Sequence, residues 1–143
     1  MFIGEFSHSI DNKGRLAIPK KFREQLVSGG IITRGLDGCL FLFGKDEWEV
    51  ISEKLRNLPI TASAARTFTR YILSGASEVG FDNLGRVMIP SFLREYAQLK
   101  EEIAVIGVGS RAEIWNKKNW EKYKTEAEKD SEEKASELIG TGI

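Results

Sequence analysis

The segment Asp11–Pro19 reads Asp-Asn-Lys-Gly-Arg-Leu-Ala-Ile-Pro, and the segment Asp82–Pro90 reads Asp-Asn-Leu-Gly-Arg-Val-Met-Ile-Pro. Six of the nine positions are identical at an offset of 71 residues, and two of the others stay apolar. The match continues at an offset of 72, where Phe43 meets Trp115 and Trp48 meets Trp120. Such an ordered series at a nearly fixed offset indicates one structural unit used twice. The 143-residue chain is therefore predicted to contain two copies of that unit.

The local signals around the first segment predict short strands and short helices. Turn residues mark 11–14, where Gly14 suits a positive φ, and Pro19 fits the first turn of a helix. The predicted elements of this half are a strand over 2–10, a strand over 16–18, a helix with Phe22 and Leu26 on one face that ends at Gly29–Gly30, strands over 31–34 and 39–43 around the turn 35–38, and a helix with Trp48, Ile51, Leu55 and Leu58 on one face that Pro59 stops.

The second half repeats this order after a linking helix. That helix is predicted over 62–73, with Thr61 as its N-cap, Ala65, Phe68 and Ile72 on its apolar face, and Gly75 at its end. The elements that follow are strands over 78–81 and 87–89, a helix bearing Phe92, Tyr96 and Leu99, strands over 103–106 and 113–115, and a helix capped by Asn116 that buries Trp120 and Tyr123 and frays after Ala127.

These elements predict four segments: a first repeat over 1–60, a linking helix over 61–76, a second repeat over 77–124, and a charged C-terminal helix or frayed tail over 125–143. Half of the chain is too small to bury a sufficient core alone. We therefore expect an α+β body in which strands of one half complete the sheet of the other. Its short edge strands also favour association with further copies.

Charge is balanced overall but unevenly distributed. The chain carries 21 basic and 21 acidic residues, yet the segment Asp11–Arg23 has five basic residues and one acid, and much of the negative charge lies in Glu121–Glu137. A patch, rather than the whole chain, would have to attract phosphates. The N-terminus lacks a signal-peptide pattern and no apolar run is long enough to span a bilayer, which favours a cytoplasmic protein.

The repeated turn offers groups that suit DNA. Asp11 and Asp82 are predicted to shape their turns with Gly14 and Gly85, while the forked guanidinium groups of Arg15 and Arg86 suit phosphate oxygens or the O6/N7 edge of guanine. The further candidate DNA-binding residues are Asn12, Lys13 and Asn83 in the turns and Lys20 and Lys21 after the first one. Lys20 and Lys21 equally fit a role in solubility.

The doubled Asp-x-x-x-Arg element, the opening Met-Phe-x-Gly-Glu-Phe and Leu73–Ala76 resemble the MraZ family of bacterial transcriptional regulators. The resemblance runs from Met1 to about Tyr123. It implies two tandem swapped-hairpin, barrel-like units similar to the AbrB/SpoVT fold, and a ring-shaped homo-oligomer. It also implies a nucleoid-associated protein that binds short direct repeats of double-stranded DNA upstream of an operon for cell division and wall synthesis. Leu84 stands where the first turn has Lys13, which makes the second tip less polar.

Two other classes of function compete with this interpretation. An enzyme would need more than the single His8 and an apolar-flanked Cys39; Gly107–Arg111 fits a turn better than a dinucleotide loop, and no cysteine and histidine spacing suits a metal. We expect no cofactor, metal or catalytic residue. A protein-binding module, similar to antitoxins that bind a toxin through a tail, would use Glu121–Glu137. Arg66 and Arg70, four residues apart, could meet acids of a neighbour or DNA.

Overall fold

The chain folds as a mixed α+β protein, here described by a computed structural model of residues 1–143. Its elements are β1 (Phe2–Ser9), β2 (Arg15–Ala17), α1 (Lys20–Arg23), β3 (Gly30–Arg34), β4 (Leu40–Gly44), α2 (Lys45–Arg56), α3 (Ser63–Ser74), β5 (Ser77–Val79), β6 (Arg86–Met88), α4 (Ser91–Ala97), β7 (Glu102–Gly109), β8 (Ala112–Asn116) and α5 (Lys117–Glu137). None of these helices has both the length and the apolar character needed to cross a bilayer.

Strands from both halves share one antiparallel sheet. Its order is β1-β7-β8-β4-β3-β5, so β1 of the first half pairs with β7 of the second, and β5 of the second half pairs with β3 of the first. The predicted completion of one half's sheet by the other is therefore confirmed. Neither half has its full set of strand partners within itself.

The two copies are related by a pseudo-two-fold axis, which the strand registers locate. β2 and β6 form a separate two-stranded ribbon in which Leu16 pairs with its own repeat equivalent, Val87. In the main sheet β4 pairs with β8, and Phe41 faces Glu113, again its equivalent at an offset of 72. Equivalent residues face each other only at a symmetry axis, so the axis passes through both pairs.

The core lies between the ribbon, the sheet and the short helices. It takes equivalent residues from the two halves, because the same positions of the repeat point inward in each. The paired core residues are Leu16 and Val87, Ile18 and Ile89, Phe22 and Leu93, and Leu26 and Ala97. Phe22 also packs edge-on against the rings of Phe2 and Phe6, with ring centroids 5.2 and 5.3 Å away. One continuous core thus joins the two copies.

Several boundaries differ from the sequence prediction. The first helix ends at Arg23 rather than at Gly29–Gly30, and Leu26 reaches the core from the turns that follow. Thr61 is not a cap, since α3 begins at Ser63 after Ala62. Gly107–Gly109 belong to β7, so only Ser110 and Arg111 form the turn.

The helix faces also differ in part. Leu58 lies beyond α2 and Phe92 is exposed on α4, where Leu93 is the buried residue instead. Asn116 does cap α5, accepting a hydrogen bond from the backbone N–H of Asn119 at 3.1 Å. However, α5 continues to Glu137 and buries no residue: Trp120 is only half-buried and Tyr123 is exposed.

The fold class is confirmed as α+β, but the structure does not confirm two tandem barrel units. The pairs β1–β7, β3–β5, β4–β8 and β2–β6 cross between halves, as exchanged strands do. However, the main sheet ends at β1 and β5 and the β2–β6 ribbon is separate from it, so the strand pairing does not close into barrels.

Candidate nucleic-acid interface

The β2–β6 ribbon has one buried face and one accessible face. Leu16 and Val87 point into the core, so the alternation of a strand places Arg15, Ala17, Arg86 and Met88 on the opposite side. Arg15 pairs with Met88, and Arg86 pairs with Ala17. The two arginines therefore occupy diagonal positions on the same outer face.

In the first turn, one carboxylate organises the backbone and holds the arginine. Asp11 Oδ1 accepts hydrogen bonds from the backbone N–H groups of Lys13 and Arg15, at 3.0 and 2.9 Å. Asp11 Oδ2 accepts from Nε of Arg15 at 2.6 Å. Neither terminal nitrogen of Arg15 donates a hydrogen bond within the chain. The aspartate thus aims the fork of the guanidinium.

The second turn repeats this arrangement atom for atom. Asp82 Oδ1 accepts from the backbone N–H groups of Leu84 and Arg86 at 2.9 and 3.0 Å, and Oδ2 accepts from Nε of Arg86 at 2.8 Å. One further contact joins the turns: Nη1 of Arg86 lies 3.9 Å from Oδ2 of Asp11. The repeat therefore builds two equivalent arginine clamps and brings them next to each other.

Both aspartates are held in their charged form. The pKa of Asp11 is lowered chiefly by the hydrogen bond from the backbone N–H of Arg15, and also by the Arg15 side chain and the N–H of Lys13. The pKa of Asp82 is lowered in the same way, first by the backbone N–H of Arg86 and then by the N–H of Leu84. The clamps are therefore charged throughout the neutral pH range.

Each turn is braced by the opposite half of the chain. Gly14 has φ +86°, and a Cβ there would lie 2.7 Å from Nε of Arg94. Gly85 has φ +73°, and a Cβ there would meet the guanidinium of Arg23. The carbonyl oxygens of the two glycines accept hydrogen bonds from the backbone N–H groups of Ile89 and Ile18, respectively. Glycine is thus required at both turns for its conformation, and at Gly14 also for the close approach of the Ile89 carbonyl oxygen.

The other predicted site residues lie around the ribbon. Asn12 and Lys13 are exposed in the first turn and Asn83 is exposed in the second; Lys20 and Lys21 are exposed on α1, which follows β2. None of these three lysines forms a salt bridge within the chain. The first turn and α1 therefore present uncompensated positive charge.

Sequence reasoning missed Ala17 and Met88 on the outer face of the ribbon. The alternation of the two strands carried the signal, because every second residue, Leu16 and Ile18 or Val87 and Ile89, is buried. The residues between them must face outward. Met88 is 51% exposed and Leu84, at the second tip, is 70% exposed. The second copy thus presents the larger apolar side chains of Met88 and Leu84 where the first copy presents Ala17 and Lys13.

The residues considered for enzymatic chemistry lie apart from one another in the fold. His8 is half-buried on β1, and its pKa is lowered by burial and by the charge of Arg23. Cys39 is buried, its Sγ lies 3.2 Å from the carbonyl oxygen of Leu36, and burial raises the pKa of its thiol. No three His, Cys, Asp or Glu side chains are grouped so that they could hold a metal ion. Arg66, on α3, donates to the carbonyl oxygen of Ile60 at 3.0 Å.

Fold and site together define a doubled binding module whose exposed ribbon carries two acid-clamped arginines. The family model described as "MraZ protein, putative antitoxin-like" matches residues 1–71 and again residues 72–141. Proteins named "Transcriptional regulator MraZ" from Natranaerobius thermophilus and Alkaliphilus oremlandii are each 48% identical to this chain over 143 residues, covering all of both chains. One from Desulforamulus reducens is 47% identical over 139 residues, or 97% of this chain and 98% of its own. The chain belongs to the MraZ family, which places it among transcriptional regulators and not among enzymes.

Proposed function

We propose that this protein regulates transcription by inserting the β2–β6 ribbon into the major groove of double-stranded DNA. A major groove about 12 Å wide admits a two-stranded β-ribbon, and several DNA-binding proteins use one in this way. One face of the ribbon is buried against the core, and the accessible face carries two arginines. A ribbon that contacts bases in the major groove needs this arrangement. The tips of the turns, with Asn12 and Asn83, then approach the bases or the backbone beside them.

The observation that carries this proposal is the engagement of Arg15 and Arg86 through Nε. An arginine held at Nε by a carboxylate keeps its terminal nitrogens for a ligand. Guanine, with adjacent O6 and N7 acceptors in the major groove, is the base that a guanidinium fork contacts most often. The clamp also limits the number of orientations of the side chain, so less conformational entropy is lost on binding.

Lysines around the first turn supply the attraction to phosphates. Lys13, Lys20 and Lys21 have no acidic partner, so their charge is available to DNA. Each lysine that neutralises a phosphate contributes about one unit to the dependence of log K on log salt concentration. Replacement of Lys20 or Lys21 by alanine should weaken binding to all sequences to a similar degree.

The proposal extends to the assembly and its target, on the strength of the family resemblance. In a closed ring of subunits the ribbons would all have the same orientation around the ring axis. The targets would be direct repeats upstream of an operon for cell division and wall synthesis. The protein would then be associated with the nucleoid. The chain has exposed apolar side chains outside the ribbon, such as Ile3 and Leu36, on which neighbours can pack.

The test compares Arg15→Ala with the matched variant Arg56→Ala, which removes an exposed arginine from α2, away from the ribbon. Wild-type protein selects sites from random duplex DNA, and both variants are titrated against a selected site in gel-shift experiments. We expect Arg15→Ala to lose roughly 1–3 kcal/mol per site, multiplied over the subunits, and Arg56→Ala to bind normally. Circular dichroism and sedimentation verify that both variants are folded and assembled. Normal affinity of a folded Arg15→Ala protein would contradict the proposal.

A protein-binding function is the second candidate, since the description of the matching family model includes the words "antitoxin-like". Helix α5 suits such a role because its 21 residues bury none of their side chains in this chain. Removal of residues 125–143 distinguishes the two. If the ribbon binds DNA directly, the truncated protein should retain its affinity for DNA. If the protein reaches DNA only through a partner bound to α5, the truncated protein should no longer regulate transcription.

A further inference from the structure

The two turns are equivalent in backbone but not in chemistry. Lys13 and Leu84 occupy the same position, and the N–H of each donates to Oδ1 of the turn aspartate, at 3.0 and 2.9 Å. In the second turn the same Oδ1 also accepts from the N–H of Arg86. Leu84 is therefore anchored to the carboxylate that aims Arg86, just as Lys13 is anchored to the one that aims Arg15.

Leu84 makes no contribution to the core that would account for a leucine at this place. It is 70% exposed, while Val87 and Ile89 of the same segment are buried. It borders an open groove together with the exposed Val27 and the half-buried Phe81, and the polar residues Arg23, Asp82 and Asn83 line the rest of that groove. The equivalent groove beside the first turn is lined mainly by polar groups, among them Asn12, Glu95 and Gln98. The second end of the ribbon is thus less polar than the first, and Leu84 and Val27 are its exposed apolar side chains.

We propose that Leu84 is a specificity-determining residue that contacts the C5-methyl group of a thymine next to the base bound by Arg86. This inference rests on the proposed binding of DNA through the ribbon. The C5-methyl of thymine is the apolar group that base pairs present in the major groove. A leucine has no hydrogen-bonding group, so it gains from covering that methyl and loses when it covers a polar base edge.

The two ends of the ribbon would consequently prefer different bases. Lys13 suits a phosphate or the acceptors of guanine, whereas Leu84 suits thymine. Because each turn presents an arginine held through Nε, the side chains at the tips distinguish which bases the two ends of the ribbon prefer. A site bound by one subunit should therefore be asymmetric, with a preferred thymine at the end that the second turn reaches.

The test removes the methyl groups without changing any hydrogen bond. A duplex selected by the wild-type protein from random DNA is resynthesised with each thymine in turn replaced by deoxyuridine. Burial of one methyl group corresponds to about a fourfold change in affinity. We expect one thymine per bound subunit at which wild-type protein loses about that factor. Leu84→Ala should show no loss at the same thymine, and Lys13→Ala should retain it.

The outcomes separate this inference from the proposed function. If wild-type protein binds selected sites but is indifferent to every deoxyuridine, the role of Leu84 is wrong and DNA binding stands. If Lys13→Ala, and not Leu84→Ala, abolishes the sensitivity, the assignment to the second turn is wrong. A Leu84→Ala protein with a changed mass in sedimentation and unchanged discrimination of thymine would place Leu84 in a contact between subunits instead. Failure of the wild-type protein to bind any duplex would overturn the proposed function itself.

Discussion

Phe41 and Glu113 face each other at the centre of the β4–β8 pair, where the pseudo-two-fold axis passes through the sheet. Glu113 is buried, with its carboxylate accepting hydrogen bonds from Nε and Nη2 of Arg111 at 3.1 and 2.8 Å and from Nε1 of Trp115 at 3.1 Å. The guanidinium of Arg111 lies 4.2 Å from the centroid of the Phe41 ring. Arg111 thus neutralises the charge of Glu113, and the equivalent residue across the axis, Phe41, is apolar.

This asymmetry predicts how separate halves of the chain behave. Residues 1–75 contain only one strand of each cross-half pair. They can form equivalent pairs only if two copies associate, which would place Phe41 of one copy against Phe41 of the other. The same association of residues 76–143 would bury two Glu113–Arg111 ion pairs against each other without the Phe41 ring that Arg111 covers, and burial of a second ion pair carries a desolvation cost. We expect residues 1–75 to form a folded dimer that unfolds on dilution, and residues 76–143 to stay unfolded. Sedimentation and circular dichroism over a range of concentrations measure this. A folded monomer of either half would contradict it.

The tight approach at Gly14 predicts a stability cost for any side chain there. Gly14→Ala combines a positive φ with a Cβ 2.9 Å from the carbonyl oxygen of Ile89, a backbone atom. Gly38 also has a positive φ, +80°, but nothing lies within 4 Å of a Cβ placed there. Gly38→Ala should therefore lose about 1–2 kcal/mol from backbone strain alone, and Gly14→Ala should lose more. Urea denaturation of both variants checks this; equal losses would show that the contact with Ile89 relaxes freely.

Local chemistry made part of this fold predictable. The turns at 11–14 and 82–85, the cap at Asn116 and the strands around Asp37 follow from residue types that few other conformations accommodate. The short length of α1 could not be predicted from residue types in this way. Phe22 and Leu26 have helical spacing, yet the chain leaves the helix at Arg23 and still buries both, because successive turns return it to the core.

The site was predictable residue by residue but not in its assembly. Arg15 and Arg86 stand out in the repeated motif, whereas their common face depends on the register of β2 against β6. That register is set by the burial of Leu16 and Val87 against both halves, a tertiary effect that neither segment specifies alone. The contact between Arg86 and Asp11 is a consequence of the same register.

The lowered pKa of His8 predicts that the folded protein loses stability in mild acid. Its pKa in the folded protein is lowered by burial and by Arg23, while in the unfolded chain it is about 6.5. Below about pH 6.5 the unfolded chain therefore takes up a proton that the folded protein resists, and stability falls from there down to the pKa of the folded state. His8→Gln removes this dependence. Urea denaturation at pH 7.5 and 5.5 should show a larger decrease for the wild-type protein; equal decreases would mean that His8 is not responsible.

Arg15→Ala should weaken DNA binding more than Arg86→Ala. Arg86 lies near two carboxylates, Asp82 and Asp11, whereas Arg15 is paired with Asp11 alone, and the uncompensated lysines lie beside the first turn. More positive potential is therefore available at the Arg15 end of the ribbon. Titrations of both variants at one salt concentration measure the ranking. The reverse order would show that the less polar second end dominates binding.

The proposed ring predicts the spacing of the repeats in the target DNA. Subunits in a closed ring are related by rotation about one axis, so their ribbons meet DNA in the same orientation. The site should then be a series of direct repeats, whereas a two-fold dimer would require a palindrome. Neighbouring ribbons reach the same side of the duplex only if repeats recur about every helical turn, roughly 10 bp.

Each additional repeat raises the effective concentration of the next ribbon, so a single repeat should bind weakly. Insertion of about half a turn, roughly 5 bp, between two repeats of a selected site turns the second away from the ring. Affinity should then fall towards that of a single repeat, while insertion of a full turn, about 10 bp, should restore part of it at the cost of bending or spanning more DNA. Gel-shift titration of the three duplexes checks this. Equal affinities, or selected sites that are palindromic, would refute the ring arrangement and leave the reading of DNA by Arg15 and Arg86 unaffected.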